Sequence, residues 1–128
     1  MSKIREVIGL PCVELEWSEW VPWEKLKTDA RKGGIPVPNK KPGVYEVRRQ
    51  DEARRLHIGK AADLRRRIKQ HMLKGQNHSA GERILAGENT HHLLIRWAVT
   101  DRPAAVEEEL HKRHESMFGR LPEYDHHT

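Results

Sequence analysis

The chain has 128 residues, enough for one domain with a modest core. It carries 24 Lys and Arg against 19 Asp and Glu, a formal charge of +5, which favours an anionic partner and makes nucleic acid the commonest candidate. A single cysteine, Cys12, excludes an internal disulfide and fits a reducing compartment. No stretch approaches the roughly twenty apolar residues needed to span a bilayer, and the start lacks a signal-peptide pattern, so the expected location is the cytosol.

In chain order, Val13, Leu15 and Trp17 alternate with Glu14 and Glu16, the pattern of a strand with one buried face. Trp17, Trp20 and Trp23 lie three apart, as on one side of a helical turn, and favour a place in the core over base stacking. Pro22 fits the first turn of a helix over about Trp23 to Lys32, with Ser18 as a candidate cap and Gly33-Gly34 as the stop. Residues 35–42, IPVPNKKP, read as an extended linker. Residues 1–40 thus form an N-terminal extension of strand and helix, packed on a domain over 41–128.

Val44, Tyr45 and Val47 predict a strand, Leu56 to Ile58 a second, and Gln50-Asp51-Glu52 the turn of a hairpin. From Ala61 to Leu73 the pattern is helical, with Leu64, Ile68 and Met72 as the buried stripe and Asp63 complementing the dipole in the first turn. Arg67 and His71 stand at i and i+4 beside that stripe, whereas Arg65, Arg66 and Lys69 point away from it. Residues 75–79 read as a loop, Ala80 to Ala86 as a short helix and 91–99, HHLLIRWAV, as a third strand. The last helix runs from about Pro103 to Phe118, with Asp101 as its predicted N-cap and Gly119 as its stop. The expected fold is α/β, a three-stranded antiparallel sheet flanked by helices. The pairs His91-His92 and His126-His127 read as incidental rather than as metal ligands.

Taken together, Gly43-Val44-Tyr45, His57-Ile58-Gly59, GKAADLRRRIKQH and a late acidic helix resemble the GIY-YIG nuclease family. The resemblance covers about residues 42–125, and its specificity lies in the order and spacing of motifs that are individually short. It implies a GIY-YIG-like fold and a divalent-metal-dependent endonuclease that hydrolyses DNA phosphodiester bonds. It implies Arg67, eight residues after Gly59, as the phosphate-facing arginine, His71 as the helix histidine, and Glu107, followed by Leu110, as the acid that holds Mg²⁺ or Mn²⁺, with Glu108 or Glu109 as the alternative ligand should the register shift. Two positions depart from the family pattern: His57 stands where tyrosine is usual, and Asp125 where an asparagine is common.

A histidine with an unperturbed pKa near 6.5 is better poised than a tyrosine near 10 to take a proton at neutral pH. The base is therefore either His57, or Tyr45 with His57 orienting the water. Lys60, Arg65, Arg66, Lys69 and Lys74 are the candidate phosphate-backbone contacts. The partner implied is DNA, duplex or branched, and either a monomer or a homodimer fits. The alternative reading is a weakened nucleic-acid-binding module or an adaptor acting through the Trp-rich segment.

Overall fold

A computed structural model describes residues 4–8, 13–76 and 79–125; Cys12 and the His126-His127 pair lie outside the described residues. The structure is mixed α/β. The strands are β1 (Ile4–Ile8), β2 (Val13–Trp17), β3 (Val21–Pro22), β4 (Gly43–Arg49), β5 (Arg55–Ala61) and β6 (Leu93–Val99). The helices are α1 (Trp23–Arg31), α2 (Leu64–Arg66), α3 (Ala80–Gly87) and α4 (Pro103–Phe118). Among the described residues the main sheet has four strands in the order β3-β6-β4-β5, all antiparallel, rather than the expected three. The addition is two residues long, with Val21 and Pro22 pairing Ile95 and Leu94 at the outer edge of β6. A proline suits such an edge because the ladder there asks nothing of its missing N–H.

The register of β4 explains both faces of the sheet. Tyr45 pairs Gly59 and Trp97, and Val47 pairs His57 and Ile95, so these side chains share one face. Trp23 and Leu26 of α1, Ile35 and Val37 of the linker, Ile68 and Met72 after α2, and Ile84 of α3 cover it. The other face presents Val44, Ile58 and Ala98, packed by Ile8, Leu15 and Trp17 of the β1–β2 hairpin and by Val106 and Leu110 of α4. Residues before 40 therefore fill both cores and are continuous with the rest of the molecule. A bulge shifts the β4–β5 register between Val47 and Arg48, so Leu56 and His57 both lie on the first face.

Several local expectations need correction. Trp17, Trp20 and Trp23 do not lie on one helical turn: Trp17 ends β2, Trp20 lies between elements and Trp23 begins α1. Trp17 and Trp23 are fully buried, while half-buried Trp20 lies under the guanidinium groups of Arg48, Arg55 and Arg96 at 4.5, 4.9 and 4.6 Å. Ser18 does not cap α1. Its N–H and hydroxyl instead bond the C=O and N–H of Trp97 at 2.8 and 3.0 Å, continuing the β6 edge where β3 stops. Asp101 does not cap α4; Arg102 occupies the N-cap position without a side-chain bond, and Thr100 Oγ1 accepts its N–H at 3.2 Å. Pro103 and a left-handed Gly119 bound the helix as expected.

The helix after the hairpin starts later than its apolar pattern suggests, because β5 continues to Ala61. Asp63 is its N-cap rather than a first-turn residue. Its Oδ1 accepts the N–H groups of Arg66 at 3.3 Å and Lys40 at 3.1 Å, fixing the helix start and the linker together. Asp63→Ala is expected to cost about 0.5–2 kcal/mol of folding stability, the range for a lost N-cap; urea unfolding measures it, and an unchanged midpoint would show the cap to be dispensable. After α2 the chain widens into a π-helix, Arg67–Leu73. Such turns are rare and recur at functional sites. Leu64, Ile68 and Met72 all remain buried through the change.

Candidate active site

The site lies where β4 and β5 meet the free edge of the sheet. Tyr45 is almost wholly buried on β4, an interior strand. Its hydroxyl is 3.2 Å from Nε2 of His57, and the two rings stand edge to face with centroids 5.4 Å apart. Only glycine fits beside them. A Cβ on Gly59 would lie 2.5 Å from the Tyr45 hydroxyl and 2.7 Å from His57 Nε2, and one on Gly43 would lie 2.2 Å from the Ala98 carbonyl oxygen. The glycines of both short motifs are thus required by close approach: one clears the tyrosine ring, the other lets β4 lie against β6.

At its other nitrogen, Nδ1, His57 meets Oδ1 of Asp125 in a short hydrogen bond. The second carboxylate oxygen of Asp125 accepts the Ile58 N–H at 2.8 Å and faces Nε2 of His111 at 3.1 Å. His111 Nε2 also lies 3.1 Å from the Ile58 carbonyl. These contacts follow from the register: Tyr45 pairs Gly59, so Ile58 turns its N–H and C=O off the open edge of β5. The tail and α4 cover that edge. Tyr124 N–H bonds the Leu56 carbonyl at 2.8 Å, and His114 Nε2 accepts the Arg55 N–H at 3.0 Å while its Nδ1 bonds the Arg120 carbonyl at 2.7 Å. An exposed edge is thereby closed without a further strand.

Charge is distributed unevenly around this cluster. Burial raises the Tyr45 hydroxyl far above its ordinary pKa near 10, against the opposing pull of the Arg67 guanidinium, which both bonds it and acts through its charge. Glu107 and Asp125 add their negative fields to the same hydroxyl. Burial works against the Asp125 carboxylate, but the bonds from His111, His57 and the Ile58 amide outweigh it and hold the pKa down to about 2. His111 moves the other way: burial would lower it, and the Asp125 carboxylate, with Glu107 behind it, raises it overall.

The structure brings Tyr45, His57 and Arg67 together from β4, β5 and the π-helix, and Glu107 of α4 acts on the same hydroxyl through its charge. Of the acidic run in α4, Glu107 acts on Tyr45 and His111, whereas Glu108 is exposed and pairs with Lys112 at 3.4 Å. His71 is half-buried behind Arg67; burial, then Arg67 and Arg66, hold its pKa down, and its backbone carbonyl accepts the Ser79 hydroxyl at 2.6 Å. Among the candidate backbone contacts, Lys60, Arg66 and Lys74 are exposed and Lys69 is half-exposed. Arg65 differs: its Nε donates to the Val37 carbonyl at 2.8 Å and anchors the linker.

Sequence reasoning passed over His111. It follows Glu107 by four residues, and the i, i+4 test that paired Arg67 with His71 finds it equally well.

Among the described residues no group of three or more His, Cys, Asp or Glu is gathered to cage a metal ion. The oxygen donors on offer, the half-buried Glu107 carboxylate and the Tyr45 hydroxyl that feels its charge, fit a hard cation such as Mg²⁺ that keeps most of its waters and takes further oxygens from a phosphate. Comparison of the chain with protein-family models, with curated proteins and with solved structures found no match.

Proposed function

We propose that this protein is a divalent-metal-dependent endonuclease with a GIY-YIG-type site, cutting DNA phosphodiester bonds. The observation that carries the reading is the meeting of His57 and Arg67 with the buried Tyr45 hydroxyl, within the field of Glu107. Phosphodiester hydrolysis needs an aimed and deprotonated water, neutralised charge on the phosphate and a stabilised leaving oxygen. Arg67 offers an exposed, permanently charged fork to the phosphate oxygens, with its position fixed by the helix that carries it. Tyr45 and His57 supply the proton path. Glu107 would hold Mg²⁺ or Mn²⁺, which when bound supplies positive charge to the phosphate and the leaving oxygen. Lys60, Arg66, Lys69 and Lys74 would track the DNA backbone, giving salt-dependent affinity with little sequence information.

The test is nicking of supercoiled plasmid with Mg²⁺, with Mn²⁺ and with chelator, using wild type and Glu107→Ala. Metal-dependent nicking that Glu107→Ala abolishes is the expected result. Nicking that survives in the variant sinks the role of Glu107. Salt-dependent DNA binding with no cleavage under any metal points instead to a binding module on the same scaffold.

A further inference from the structure

The base role is divided between two side chains, and the hydrogen bonds around His57 decide how. An ionised carboxylate only accepts. Since Asp125 Oδ1 faces Nδ1 of His57, the ring proton of neutral His57 belongs on Nδ1. Nε2 then carries a lone pair, and the group in front of it is the Tyr45 hydroxyl at 3.2 Å. Asp125 cannot turn away from this task. Its Oδ2 is already engaged by two donors, the Ile58 N–H at 2.8 Å and His111 Nε2 at 3.1 Å. His111 Nε2 faces a carboxylate and a carbonyl, both acceptors, so it carries a proton.

The geometry points to Asp125 as a positioning residue, steadied by His111, that fixes the tautomer of His57 so that Tyr45 transmits a proton and His57 receives it. This deepens the nuclease reading and rests on it. In the reacting complex the water oxygen bonds to phosphorus as its O–H bond breaks. That proton goes to the Tyr45 oxygen while the Tyr45 proton passes to His57 Nε2. The P–O bond to the leaving oxygen breaks with its electron pair, and that oxygen takes a proton from solvent. Tyr45 ends neutral, as its burial demands, and the imidazolium on His57 is paired with Asp125 until it returns its proton to solvent. No free tyrosinate is required at any point.

The test reads the tautomer directly. In ¹⁵N-resolved spectra of the full chain, wild-type His57 should show Nδ1 protonated and Nε2 bare. Asp125→Asn should reverse this, because the two donors at the Oδ2 position hold the amide oxygen there and leave the amide NH₂ to face Nδ1. His57 then donates to Tyr45 from Nε2, and metal-dependent cleavage should fall by about 10²-fold or more. Should Asp125→Asn fail to fold, the wild-type spectrum alone still decides: a proton on Nε2 overturns the assignment. An unchanged tautomer in the variant, or a switched tautomer with undiminished cleavage, overturns it too. A wild type with the expected tautomer but no cleavage removes the nuclease reading, and the relay with it, while the hydrogen-bond assignment around His57 stands.

Discussion

Replacing Arg67 with alanine is expected to lower metal-dependent cleavage by about 10²–10³-fold, the loss usual for a preorganised group facing charge that builds in the transition state. The same substitution should cost only about 1 kcal/mol of folding stability, because the side chain is exposed and its tie to the core is the bond to the Tyr45 hydroxyl. That separation makes the experiment informative, since lost activity cannot then be blamed on lost structure. Arg67→Lys keeps the charge but loses the planar fork, and should recover only part of the rate. Arg66→Ala is the contrasting control. It removes a neighbouring exposed charge and should weaken DNA binding and flatten its salt dependence, with little change in the rate of bound substrate. Single-turnover cleavage with saturating enzyme separates the two effects. Equal losses in the two variants would mean that Arg67 is one more backbone contact.

The largest effect on stability is expected on the opposite face of the sheet. Glu46 is buried, and one of its carboxylate oxygens accepts from Arg96 Nε at 2.7 Å and from Arg55 Nε at 2.9 Å. Arg96 is itself buried, with its guanidinium 4.0 Å from the Trp17 ring and 4.6 Å from that of Trp20. Burial pulls its pKa down and Glu46 pulls it back, yet an arginine side chain does not give up its proton in a protein. Glu46→Ala therefore strands a buried charge, and the expected cost is about 3–5 kcal/mol. Since a domain of this kind has only about 5–15 kcal/mol in hand, the variant should keep a small margin of stability. Urea unfolding measures the loss. The double variant Glu46→Leu with Arg96→Met removes both charges and should recover much of it. A double variant no better than the single one would show that the stacking of Arg96 on the tryptophans, rather than its charge, is what Glu46 maintains.

The sequence made the main strands and helices legible where a periodic pattern was long enough or a stop residue was present. Leu64, Ile68 and Met72 announced a packed helix, and Pro103 with Gly119 bounded the last one. The widening into a π-helix was not readable, because apolar residues four apart stay buried on either kind of turn. The strand Ile4–Ile8 lacked clean alternation and depends on pairing with β2, a non-local fact. Nothing in the strand pattern around Glu46 marks it as buried. Its burial follows from Arg96 lying directly across the sheet, and no local window contains both. Within the site, Tyr45, His57, Arg67 and Glu107 were readable as a motif. The contact between His57 and Asp125 was not, since 68 residues separate them. Those two positions are the ones at which the chain departs from the family pattern it resembles, and they touch.

Because one carboxylate both closes the edge of β5 and orients the imidazole, a single backbone proton stands as a witness to the whole arrangement. The Ile58 amide ends on Asp125 rather than on a neighbouring strand. Its exchange with deuterium and its chemical shift follow whether the tail is seated, without substrate, metal or any introduced label. A titration of DNA or of Mg²⁺ watched at that one resonance would show whether loading the site tightens the seal or loosens it.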